Sequence, residues 1–169
     1  VLKGTAAVGA LGMLSGLGWL GKAWGAQDKV KMGFIFVGPR DDYGYNQAHF
    51  EGKSSVAKLD WVKAFDEEKV PETIEVQKSM ESMVKLDGAQ VLFPTSFGYF
   101  DPHILKVAPQ YPNILFLHCG GLYQEGKHPK NVGSYFGFID ESEYVAGIVA
   151  GGMTKSGKLG FVAAKPIPQ

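Results

Sequence analysis

Residues 31–52 read KMGFIFVGPRDDYGYNQAHFEG, and the fold follows from how that stretch is parsed. Met32 to Val37 is an apolar run of strand length, rich in aromatic and β-branched side chains. It stops at Gly38-Pro39, which cannot continue a central strand. A polar and aromatic loop follows, Arg40-Asp41-Asp42-Tyr43-Gly44-Tyr45, and a helix is expected from Asn46 onward. A buried strand, a turn at its carboxyl end and a helix N-terminus behind the turn form the usual ligand crevice of an open α/β sheet.

The chain beyond this unit repeats strand, loop and helix less regularly. The helix over 46–59 has Ala48, Val56, Ala57 and Leu59 as its expected inner face. Further strands are expected over 61–65, 89–93, 114–118, 132–138 and 158–164. A second helix opens at Val70-Pro71-Glu72, where proline suits the first turn and Glu72 suits the positive end of the dipole. Its core contacts are expected to be Ile74, Met80, Met83, Val84 and Leu86, and Gly88 ends it. Asp101-Pro102 starts a helix over 102–110, and a last helix over 143–154 turns Tyr144, Val145, Ile148, Val149 and Met153 inward. Buried strands alternating with helices imply an α/β fold, a parallel sheet with helices on both faces. Right-handed crossovers then gather loops 38–45, 94–101, 119–131 and 139–142 on one edge.

Composition narrows the function classes. A chain of 169 residues with 45 % hydrophobic content can bury one good core. The formal charge is zero and the basic residues are scattered, which argues against nucleic acid as a partner. Cys119 is the single cysteine, so an intramolecular disulfide and a CxxC zinc site are both excluded. His49, His103, His118 and His128 show no metal-ligand spacing, and neither a metal nor a cofactor is expected.

The leader reads differently from the rest. Gly4 to Leu20 is uncharged, small and apolar, with Lys3 before it and Ala23-Trp24-Gly25 after it. That is the layout of a secretory signal peptide over 1–25, cut before Ala26. An uncleaved anchor is the alternative, but the span is short and rich in Gly and Ala. Val-Leu-Lys before the apolar run resembles the tail of a twin-arginine signal, although the arginines are absent here. Gly16 to Gly21 spells GxGxxG inside this leader, follows no strand, and fails as a dinucleotide site. Gly152 to Lys158 nearly spells a phosphate loop, but Leu159 replaces the magnesium hydroxyl and the helix–strand order is reversed.

Three constellations remain. Asp42 and Asn46 can hold a polar ligand while Tyr43, Tyr45 or Phe50 covers its apolar face; the bland alternative is a helix cap. Thr95 and Ser96 can bond a ligand with Phe97 and Tyr99 stacking on it, or can satisfy the loop backbone. His118 and Cys119 are adjacent on a strand and point to opposite faces, so a nucleophile pair is rejected.

Asp42-Tyr43-Gly44-Tyr45-Asn46-Gln47 with Gly52 resembles the first-loop signature of the basic-membrane-protein family, the purine-nucleoside-receptor-like solute-binding proteins of ABC importers. Thr95-Ser96-Phe97-Gly98-Tyr99 with Asp101-Pro102 resembles that family's third-strand loop. Asn131-Val132-Gly133, Tyr135-Phe136-Gly137, Tyr144, Ala146 to Gly151, Thr154-Lys155, Lys158-Leu159-Gly160 and Pro166-Ile167-Pro168 resemble its hinge region. The resemblance implies a type I periplasmic-binding-protein fold, two α/β lobes with the ligand between them. It implies an N-terminal lobe over 26–138, complete here, and a hinge crossover with the start of a truncated C-terminal lobe over 139–169. The expected function is an extracytoplasmic receptor, not an enzyme, that captures a nucleoside or related heterocycle. It would act in the periplasm, as a monomer when full length, and deliver its ligand to an ABC permease at the inner membrane. Carried over, Asp42 and Asn46 bond the ligand's polar edge, Phe50 is the stacking ring of this lobe with Tyr45 beside it, and Ser96 and Phe97 line the neighbouring wall. Cys119-Gly120-Gly121 stands where the family often has an aspartate, and the leader is followed by no lipobox cysteine. An α/β enzyme acting on a nucleoside-like substrate and a ligand-sensing receptor domain are the alternatives. The last expected strand has no sheet of its own, which predicts exposed apolar surface around Phe161 and Val162.

Overall fold

The computed structural model describes residues 28–163, so the expected leader and the Pro166-Ile167-Pro168 exit lie outside the described residues. Five strands form one sheet: β1 (Val30–Ile35), β2 (Val62–Glu67), β3 (Val91–Pro94), β4 (Leu115–Cys119) and β5 (Val132–Tyr135), in the order β2-β1-β3-β4-β5. Strand β1 runs parallel to β2, with Val30 opposite Val62, and parallel to β3, with Met32 opposite Val91. Strand β3 runs parallel to β4, with Val91 opposite Leu115.

The apolar run in β1 is continuous because both of its faces are covered. Ile35 belongs to the main core with Leu92, Phe116, Val76, Met80 and Met83, on the side of helix α2 (Ile74–Ser82). Phe34 stacks on Phe93 at 4.5 Å between ring centroids, and Phe36 meets the ring of Phe50 edge-on, on the side of helix α1 (Tyr45–Val56). Each fully buried Leu, Ile or Phe contributes roughly 1.5–3 kcal/mol relative to exposure.

Several helix expectations are corrected. Ala48, Ala57 and Leu59 are exposed; α1 instead turns Asn46, Phe50 and Lys53 toward the sheet. Lys53 reaches inward because Asp66 on β2 accepts its ammonium at 2.8 Å. Helix α2 begins at Ile74 behind a Thr73 cap, so Pro71 and Glu72 lie in the preceding loop. Ile74 and Leu86 are exposed, and Val76 takes the buried position. Gly88 does end the helical segment, in the left-handed conformation at φ 71°. Residues 97–110 form short irregular turns around α3 (Leu105–Val107), broken at Asp101, which takes extended dihedrals.

The chain divides into two units, the first ending at Ser134 and the second beginning at Tyr135. The second unit holds helix α4 (Ile139–Met153), which starts where loop 139–142 was expected. No residue of α4 is buried, against the inward face expected for Tyr144, Val145, Ile148, Val149 and Met153. One helix and an extended tail give an apolar stripe nothing within the unit to pack on. Residues 158–163 form no strand, and Phe161 and Val162 are 77 % and 97 % exposed.

Candidate functional site

In a strand order of 2-1-3-4-5, the loops after β1 and β3 diverge to opposite faces and leave a crevice between them. Here those loops are residues 36–44 and 95–99. The Tyr45 hydroxyl donates to the Thr95 carbonyl, which ties the two sides together at the crevice floor. At the end of β4, burial pushes the Cys119 thiol's pKa up, with a smaller opposing effect of the nearby Tyr45 hydroxyl.

Asp42 organises the first loop. Its carboxylate accepts from the backbone N–H groups of Gly44 (2.9 Å), Asn46 (3.1 Å) and Gln47 (3.0 Å), and from Asn46 Nδ2 (2.7 Å). Partial desolvation raises its pKa, but the bonds from Gln47, Asn46 and Gly44 outweigh it and take the group down to about 2. Asp42, two residues before the Gly44 N-cap position, therefore satisfies the free N–H groups at the start of α1. Its contribution is present above the unfolded pKa of 3.8 and is lost as pH falls toward 2. Asp42→Ala is expected to lower stability by about 1 kcal/mol at neutral pH, read by urea unfolding, and to converge with the wild type near pH 2.

Asn46 is 6 % exposed. Its Nδ2 donates to Asp42 and its Oδ1 accepts from Gly38 N–H at 3.3 Å. An amide can make four hydrogen bonds, so among the described residues one N–H and one oxygen lone pair of Asn46 have no partner. The loop is pinned from outside as well. Arg40 N–H donates to Glu68 (2.8 Å), and Arg40 Nε sits 2.5 Å from Asp66, which is buried at 7 % exposure. Phe50 is half-buried beneath two cations, Arg40 at 5.7 Å and Lys53 at 5.3 Å from its ring centre. Tyr43 stands at the loop tip, 95 % exposed and at φ 56°.

On the β3 side, Thr95 is committed to the backbone: its Oγ1 donates to Ile35 O at 3.0 Å. Ser96 Oγ donates to Glu72 at 2.6 Å, while its carbonyl faces His118 Nε2 at 3.0 Å. Phe97 is half-buried, its ring 6.4 Å from that of His118. Tyr99 is fully buried and donates to Val70 O at 2.5 Å, so it belongs to the core rather than to a stacking surface. Burial holds the His118 pKa down to about 4, against smaller opposing effects of Ser96 and Phe97, so the ring is neutral at pH 7. With Nε2–H donating to Ser96, Nδ1 is left to accept from Ser134 Oγ at 3.4 Å. Cys119 and His118 do not form a pair; each is buried against different neighbours.

Sequence reading thus placed Asp42, Tyr45, Asn46, Ser96 and Phe97 at one edge, with Phe50 one turn further along α1. It missed Glu72, assigned to a helix dipole, because nothing local signals a contact to Ser96. Among the described residues, no group of three or more His, Cys, Asp or Glu could hold a metal ion.

The Bmp family, described as ABC transporter substrate-binding protein PnrA-like, matches over residues 29–169. The chain belongs to this family. It is 33 % identical over 152 residues to a purine-binding protein of Brucella abortus, covering 89 % of this chain and 42 % of that protein. It is 32 % identical over 143 residues to a Haloferax volcanii protein named as a proposed ABC transporter glucose-binding protein, covering 84 % of this chain and 35 % of that one. This member of the substrate-binding family therefore spans less than half the length of either relative. A solute-binding protein of an ABC transporter system from Aeropyrum pernix K1 shares the fold, with a TM-score of 0.57 at 24 % identity, over 72 % of this chain and 32 % of that structure.

Proposed function

We propose that this chain carries one ligand-binding lobe of an extracytoplasmic receptor that captures a nucleoside or related heterocycle and delivers it to an ABC permease. In this reading residues 1–25 are an export signal, 26–138 form the lobe, and 139–169 begin the second. The observation that carries it is Asn46: a buried amide at the topological switch point with, among the described residues, one donor and one acceptor to spare. That pair matches the alternating donors and acceptors along the edge of a heterocyclic base. Asp42 fixes the orientation of the amide. Phe50 and Phe97 supply aromatic surface, and Ser96 and Tyr45 complete the wall. The name of the Brucella relative favours a purine, and that of the Haloferax relative makes a sugar the first competitor. No bond is made or broken; the ligand acts by its differential affinity for the closed state.

The test is calorimetric titration of the full gene product with adenosine, inosine, free purines and glucose. Saturable nucleoside binding is expected, weakened at least about tenfold in Asn46→Ala and in Phe50→Ala. Binding of glucose alone would keep the receptor role and remove the nucleoside.

A further inference from the structure

We infer that Glu72 is the positioning residue that holds the Ser96–Gly98 wall in its ligand-ready form. The inference rests on reading that wall as part of the binding site.

Glu72 precedes the Thr73 cap of α2, and Thr73 itself accepts the Glu75 N–H at 3.3 Å. The helix end is served without Glu72. Its carboxylate crosses instead to the next strand-end loop. A single oxygen, Oε1, accepts from Ser96 Oγ at 2.6 Å and from Gly98 N–H at 2.8 Å. A charged acceptor makes these bonds stronger than neutral ones. The seat is tight: a Cβ on Gly98 would lie 2.5 to 2.7 Å from the carboxyl atoms of Glu72. Ser96 is thus gripped twice, by Glu72 at its hydroxyl and by His118 at its carbonyl. Phe97 lies between the two residues that Glu72 holds. The Tyr99 hydroxyl bond to Val70 joins the same two loops inside the core, so Glu72 adds the clasp at the rim. Without it, Ser96 Oγ–H and Gly98 N–H lose their acceptor and the wall is free to turn outward.

Two readouts separate this from the binding assignment. The first needs no ligand: hydrogen–deuterium exchange across residues 96–99 of the full gene product. Glu72→Ala is expected to speed exchange there about fivefold or more while β1 and β3 stay protected. Glu72→Gln, which keeps an acceptor of the same shape, should restore protection. The second is adenosine affinity, expected to fall at least about fivefold in Glu72→Ala and to return to within about twofold in Glu72→Gln. Ser96→Ala should cost less affinity in the Glu72→Ala background than alone, because both act on one contact. If Glu72→Ala fails to fold, Gly98→Ala displaces the carboxylate from the other side and should give the same local exchange and affinity loss. Unchanged exchange over 96–99 would overturn the positioning role. Faster exchange with adenosine affinity intact would overturn the link to the ligand. Absence of nucleoside binding in the wild type, with the exchange effect present, would remove the nucleoside reading and leave the clasp.

Discussion

Between pH 6.5 and pH 4 the protein is expected to lose roughly 3 kcal/mol of stability through one imidazole, His118. The ring is fully buried among Phe97 and Phe100, with its Nε2–H committed to the Ser96 carbonyl. Burial holds its pKa near 4 in the folded chain, against 6.5 when unfolded. In that window the unfolded chain binds a proton that the folded chain refuses, so acid favours unfolding. The sign is fixed: the contribution is complete above 6.5 and declines as pH falls, by at most about 1.4 kcal/mol per unit. Below 4 the folded state protonates too and the slope vanishes. Asp42 acts only lower, between 3.8 and about 2, so the two groups separate on the pH axis. The measurement is urea unfolding at half-unit pH steps for the wild type and His118→Phe. The variant loses the Ser96 bond at every pH, but its curve should be flatter from 6.5 to 4. Parallel curves would show that another group carries the acid sensitivity.

Gly120→Ala is expected to destabilise by about 3 kcal/mol. Gly120 sits at φ 159°, at the end of the left-handed region, immediately after β4. A Cβ there would lie 2.4 Å from His118 Cε1, 3.1 Å from His118 Nδ1 and 3.2 Å from the Phe97 ring. None of these atoms can yield freely, since His118 is fully buried and bonded to Ser96, and Phe97 follows Ser96 directly. The backbone must shift, or the ring must leave its partner. The conflict is local, and a double variant tests that. In a His118→Ala background the two imidazole contacts are gone and only the 3.2 Å approach to the Phe97 ring remains, so Gly120→Ala should cost less than half as much there. Additive losses would place the strain in the backbone dihedral instead.

The sheet was legible because its central strands carry short apolar stretches closed by turns, and parallel topology follows from having strands alternate with helices. The helices were less so, for reasons visible in particular residues. In α1 the inward positions are Asn46, Phe50 and Lys53, and a charged residue reads as a solvated face unless its partner is known. Here the partner is Asp66, on a different element. Pro71 and Glu72 obey the local grammar of a helix start, yet Glu72 is recruited by Ser96 and the helix opens later. In α4 and residues 158–163 the hydrophobic pattern is present without a surface in the same unit to bury it. At the crevice, Asp42 and Asn46 stand out in the sequence by their place in a strand-end loop, by their polar chemistry and by the resemblance, and the structure bonds the two to each other. Their division of labour was not legible: a carboxylate that caps and an amide left with a donor and an acceptor differ only in three-dimensional hydrogen-bond accounting.

The strand order also bears on how the molecule acquires its crevice. Val30 meets Val62 and Val91 meets Leu115 across moderate stretches of chain, whereas Met32 meets Val91 only after all of α1, β2 and α2 have been looped out. Closing a longer loop costs more entropy before contacts repay it. The β1–β2 pair brings the Asp42–Asn46 loop and Glu72; the β3–β4 pair brings Ser96, Phe97 and His118. Each half can carry its own wall, and neither holds a cleft. On the proposed reading, a chain with only one of these pairs formed would lack the crevice, which is complete only where β1 pairs with β3.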